Sequence, residues 1–151
     1  MSEENVEVVR RYYARRYYGE RSEAPETFAA EASAFWESDG DYYPVRSSPE
    51  ARPCHGRYEI VAFLAEYRAT WDAYRYEIKD VRAIADDRVL VLGHVSAEGR
   101  ASGMPVEGDL NHCCWLRHGR FIRVEDHLTL RGALHALGLG GESLEAASLE
   151  E

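Results

Sequence analysis

Two strand-like segments in the C-terminal half each carry one ionisable residue on an otherwise apolar face, and a third places a histidine beside two leucines. In 121–129 the even positions read Ile122, Val124, Asp126 and Leu128, so Asp126 is the single charge among aliphatics. In 105–116 they read Val106, Gly108, Leu110, His112, Cys114 and Leu116, with His112 the polar exception. In 88–98, Leu90, Leu92 and His94 share a face, although Val89, Val91 and Val95 make the other face apolar too. Successive strand residues point to opposite sides. If the three strands are neighbours, His94, His112 and Asp126 converge on one apolar surface. A carboxylate and an imidazole held together in a dry pocket form an acid/base unit near neutral pH. The alternative is a structural one, in which these groups satisfy buried polar partners. Two histidines and a carboxylate could also bind a metal, but no ligand-spacing signature accompanies them and no metal is expected.

The elements that must position these residues fall into two blocks. Ser2 can cap a first helix with Glu3 and Glu4 in its first turn, and Val6, Val9, Tyr13 and Tyr17 give it one apolar face before Gly19 stops it. A short second helix is expected from Pro25 to about Trp36, followed by a turn at 38–41 and a brief strand, Tyr42-Tyr43, stopped by Pro44. Residues 46–53 read as a polar loop. From Gly56 a further helix carries Ile60, Phe63, Leu64, Tyr67 and Trp71 on one stripe. The period then changes from 3.6 to 2, with strands at 73–85, 88–98, 105–116 and 121–129 separated by hairpin turns. A closing helix, 130–137, ends at Gly138, and an acidic flexible tail occupies 140–151. Helices followed by a meander of long strands predict an α+β fold: a cone-shaped, curled antiparallel sheet packed on N-terminal helices, with a central pocket. Residues 1–139 form that one domain.

Composition narrows the function classes. A chain of 151 residues with 45% apolar and 30% charged residues supports a core without staples. A formal charge of −9 argues against nucleic acid as a partner, and Arg10, Arg11, Arg15 and Arg16 read as a solvated helix face. No apolar run reaches membrane-spanning length, so no membrane partner is expected. The polar start Met-Ser-Glu-Glu-Asn lacks a secretory pattern, which makes the expected location cytoplasmic. Cys54, Cys113 and Cys114 have no framework spacing and read as small buried residues.

The stretches Gly56-Arg57-Tyr58-Glu59-Ile60-Val61-Ala62-Phe63-Leu64, residues 116–123 and residues 133–139 resemble the SnoaL-like branch of the nuclear transport factor 2 superfamily, across about 5–139. That resemblance implies a cavity between the helices and the sheet, which singles out Trp36 and Phe63 as ligand contacts. It implies an oxygen-anchoring role for Tyr12, which matches the helix-1 tyrosine of the ketosteroid isomerase relatives. Those relatives keep a proton-shuttling Asp just before a proline on the first short strand; Tyr43 holds that place, before Pro44. A phenol is a poor base at neutral pH, which disfavours ketosteroid isomerisation and leaves Tyr43 a ligand contact. In SnoaL-type cyclases a last-strand Asp is the acid/base, which implies that role for Asp126. A homodimer is implied as well.

The expected activity is therefore cofactor-independent acid/base chemistry (lyase, isomerase, cyclase or hydrolase) on a small apolar oxygenated ligand, with catalytic Asp126, His112 and His94. The alternative is a non-catalytic hydrophobic-ligand-binding or accessory dimeric module. The dimer contact is expected on the outer sheet face, through Phe121, Trp115 and Val95.

Overall fold

The computed structural model describes residues 2–18, 33–45, 52–99 and 101–139. Helix α1 (Ser2–Tyr18) opens with Glu3 and Glu4 in its first turn, where negative charge complements the helix dipole. It buries Asn5, Val9, Tyr12 and Tyr13, a stripe at the 3–4-residue spacing of one helical face. Strands β1 (Trp36–Tyr43) and β2 (Cys54–His55) precede helix α2 (Arg57–Thr70), which turns Ile60 and Leu64 inward. Four long strands follow: β3 (Trp71–Ala85), β4 (Arg88–Gly99), β5 (Pro105–Arg117) and β6 (Arg120–His127). Helix α3 (Leu130–Ala136) closes the fold, with the Thr129 side chain accepting from the Gly132 amide at its start. The Gly19 stop, most of the helix expected from Pro25, residues 46–51 and the tail 140–151 lie outside the described residues.

The six strands form one sheet in the order β2-β1-β6-β5-β4-β3. The expected antiparallel meander holds for β3 to β6, but β1 lies parallel to β6, so the sheet is mixed and curled rather than wholly antiparallel. Two expectations near β1 need correcting. Trp36 opens this strand instead of ending a helix, and residues 38–41 lie within it instead of forming a turn. The register against β6 shifts between Trp36 and Asp41, so the polar Ser-Asp-Gly-Asp run is a strand irregularity.

Helices cover both faces, where only one was expected to be covered. α1 and α2 pack on the inner face, over a core of Val9, Tyr12, Tyr13, Trp36, Ile60, Leu64, Tyr76, Val89, Val91, Phe121 and Val124. α3 packs on the outer face, with Leu90 and Cys113 beneath Ala133, Leu134 and Leu137. This explains why 89–92 is apolar at every position: odd residues face α1 and even ones face α3. Phe121 belongs to the inner core as well. A register shift in the β5–β6 pairing matches Leu116 with Phe121 and Trp115 with Arg123, so Ile122 is the extra residue and Phe121 turns inward. Phe121 and Val95 therefore pack against the inner cluster, and of the three expected dimer contacts Trp115 alone packs with the outer one. No helix among the described residues is long and apolar enough to cross a membrane.

Gly93 is where the sheet admits a close approach. A Cβ there would lie 2.1 Å from Tyr76 Oη and 2.2 Å from its Cζ, so the absent side chain is what lets the Tyr76 ring lie across β4. From that position the Tyr76 hydroxyl donates to the Leu110 carbonyl at 2.7 Å.

Candidate active site

β5 and β6 place His112 and Asp126 directly opposite one another as cross-strand partners on the inner face. His112 Nδ1 lies 2.5 Å from Asp126 Oδ1. The pair is deeply buried: the imidazole is 0% exposed and the carboxylate 5%. Asp126 Oδ2 accepts a hydrogen bond from the Tyr42 hydroxyl. Tyr42 comes from β1, where it pairs with Val124 in the parallel register and so faces the same side as Asp126. A buried carboxylate persists only when paired and hydrogen-bonded, and here each oxygen has its own partner.

Aromatic rings fix the imidazole. Tyr13 of α1 stacks on His112 at 4.7 Å between centroids and 28° between planes, while Tyr76 meets it edge-on at 5.3 Å. On the far side of Tyr42, Phe63 of α2 approaches at 5.7 Å and itself stacks on Tyr67 at 6.1 Å. Beyond the ends of β1 and β6 lies a recess of about 460 Å³, bordered by Tyr43, Val45, Arg123, His127, Leu128 and Asp126. Asp126 is among the residues lining the recess, but its side chain is 5% exposed and turns inward to the fully buried His112.

The other residues singled out from the sequence have these positions. His94 does not join the pair. The residue opposite His112 on β4 is Val91, which puts the even-numbered His94 on the outer face. There it contacts Glu107 Oε2 at 3.0 Å and Asp109 Oδ1 at 3.3 Å. Hydrogen bonding to Glu107, then to Asp109, raises its pKa above the usual histidine value. Tyr12 and Trp36 bond to each other, with the Trp36 indole N–H donating to the Tyr12 hydroxyl at 3.3 Å; both are 1% exposed and both pack on Phe121. Tyr43 faces away from Tyr42, and its ring lies under the Arg123 guanidinium at 4.4 Å, on the border of the recess. Phe63 is half-buried on the inner side.

Tyr42 is the residue that sequence reasoning passed over. Its signal was the alternation of Gly40 and Tyr42 against Tyr43, hidden by reading residues 38–41 as a turn. Among the described residues no cluster of three or more His, Cys, Asp or Glu side chains has metal-binding geometry. The three cysteines are buried and unbridged. Burial pushes the Cys54 thiol up to about 11 and that of Cys113 higher still.

Comparison with known proteins bears on the fold first. A protein with a ketosteroid isomerase-like fold from Catenulispora acidiphila, solved in complex with trimethylamine, superposes with a TM-score of 0.66 at 17% identity, over 90% of this chain and 95% of that one. A candidate SnoaL-like polyketide cyclase from Jannaschia sp. CCS1 gives 0.70 at 15% identity, over 89% and 92%. TerC, co-crystallised with polyporic acid, gives 0.66 at 20% identity, over 89% and 97%. No curated protein matches the sequence. The SnoaL-like domain family matches residues 9–124, a span that holds α1 from Val9 onward, the sheet up to Val124 and His112. The chain accordingly belongs to the SnoaL-like family.

Proposed function

We propose that this chain is a cytoplasmic, cofactor-independent acid/base enzyme acting on a small, largely apolar molecule that carries a carbonyl or hydroxyl. Asp126 is the acid/base and His112 its buried partner. The observation that carries this reading is the 2.5 Å His112–Asp126 contact, buried on the inner face of the sheet among the rings of Tyr13, Tyr42 and Tyr76. Asp126 would take a proton from a bound carbon acid or hydroxyl and return it to a neighbouring position or to a leaving group, which is isomerase, cyclase or lyase chemistry, while the imidazole holds the carboxylate in place. His94 has no part in it, because its outer-face position separates it from the pair. Three unbridged cysteines accord with a reducing compartment. The homodimer implied by the family resemblance belongs to the same reading, with Trp115 on the outer face as its contact, which light scattering of the wild type and a Trp115→Glu variant would check.

The test is a binding and turnover screen of hydroxylated quinones and ketones, with polyporic acid among them, against wild type and Asp126→Asn. The expected result is a ligand that wild type converts and that the variant binds without converting. Ligands bound but never converted by wild type would instead support the non-catalytic binding module.

A further inference from the structure

We propose that Tyr42 is a positioning residue that fixes the arrangement of protons in the His112–Asp126 pair; its relevance to turnover rests on the function proposed above. A carboxylate is acceptor-only, so the phenol bonded to Oδ2 must be the donor. With Oδ2 engaged by Tyr42, the carboxylate turns Oδ1 to His112 as a second acceptor, 2.5 Å from Nδ1. The proton in that contact therefore sits on Nδ1, and the imidazole is held in the Nδ1–H form. If Tyr42 did not donate, Oδ2 could carry a proton itself, and the carboxyl could rotate about its terminal torsion, which is broad and roughly two-fold. The plane of the carboxylate is set from β1.

The surroundings of Tyr42 suit such a role. Its ring is held between Trp36, 6.3 Å away on its own strand, and Phe63 of α2, 5.7 Å away. Its backbone is fixed by pairing with Val124 on one side and Cys54 on the other. These constraints act on the ring and the main chain. Tyr42→Phe keeps them all and deletes only the hydroxyl.

The experiment is nuclear magnetic resonance on resting protein labelled with ¹⁵N-histidine, comparing wild type with Tyr42→Phe. In wild type, His112 Nδ1 should show the shift of a protonated nitrogen, and two exchange-protected protons should appear far downfield, one from Nδ1–H and one from the Tyr42 hydroxyl. Tyr42→Phe should lose the second and make the first exchange about tenfold faster, the scale of one lost hydrogen bond. An unprotonated Nδ1 in wild type overturns the proposal, as does an Nδ1–H resonance unchanged in position and exchange in the variant. Asp126→Asn provides a second variant: its amide cannot accept on both sides, so both resonances should vanish or move, and their persistence would equally overturn the assignment. Because these signals are read without substrate, a protein that shows them but converts nothing refutes the enzyme reading alone.

Discussion

Replacing Gly93 with alanine should damage the site from behind, without touching a polar group. The new Cβ would sit 2.1 Å from Tyr76 Oη, 2.2 Å from Cζ and 2.6 Å from Cε1, all far inside van der Waals contact. Those atoms belong to a fully buried ring, so relief requires Tyr76 to leave its place across β4. Leaving breaks the 2.7 Å bond to the Leu110 carbonyl and withdraws the edge that packs on His112. An unmet buried hydrogen bond costs about 1–3 kcal/mol. Overpacking adds about 1–3 kcal/mol. The lower chain entropy of alanine returns roughly 0.5–1 kcal/mol. A net loss of about 2–4 kcal/mol follows, or roughly 5–15 °C in Tm for a chain of this size. Urea unfolding of Gly93→Ala measures it directly. Tyr76→Ala should cost about 3–5 kcal/mol alone. The double variant should be no worse, because the methyl introduced at position 93 then occupies vacated space, and this gives a coupling energy close to the Gly93→Ala cost. A loss below about 1 kcal/mol for Gly93→Ala, or additive effects in the double variant, would refute the reasoning.

Three further outcomes follow from the same geometry. Asp126→Ala removes the partner of both Tyr42 and His112 and should destabilise the protein by about 3–5 kcal/mol in urea unfolding, well beyond the cost of Asp126→Asn. His94, whose pKa is raised by Glu107 and Asp109, favours its protonated form when folded, so its stabilisation is complete below the ordinary value of 6.5 and fades as pH rises through the raised value. The urea midpoint of wild type relative to His94→Gln should therefore fall as pH rises above 6.5, and a constant difference would contradict this. Burial raises the Cys54 and Cys113 thiols, so neither should react with a disulfide reagent at about pH 8 until urea unfolds the chain, as absorbance of the released thiol would show.

The alternating pattern in the sequence located His112 and Asp126 because each strand carrying them has one plainly apolar inner face. It misled for His94 because β4 is apolar on both sides, and the pairing of Val91 with His112 and the packing of α3 on Leu90 are what turn the even positions outward. It misled for Phe121 because one extra residue, Ile122, shifts the register, and local alternation cannot reveal a bulge. Tyr42 was hidden by a polar run that looks like a turn yet pairs within β1. Strand propensity is weak there, and the pairing with β2 and β6 decides the conformation. The Tyr12–Trp36 bond depends on two side chains 24 residues apart in sequence meeting over Phe121, which no spacing rule encodes. The helix-then-strand order sufficed for the fold class, whereas the parallel seat of β1 beside β6 is a long-range choice of the folded chain.

The most direct test of Asp126 as a proton-transferring group is solvent-deuterium incorporation at carbons next to the carbonyl in bound small ketones, followed by proton spectroscopy. Wild type should accelerate incorporation in at least one ligand, and Asp126→Asn should bind that ligand without accelerating it. Undiminished incorporation in Asp126→Asn would contradict the central claim.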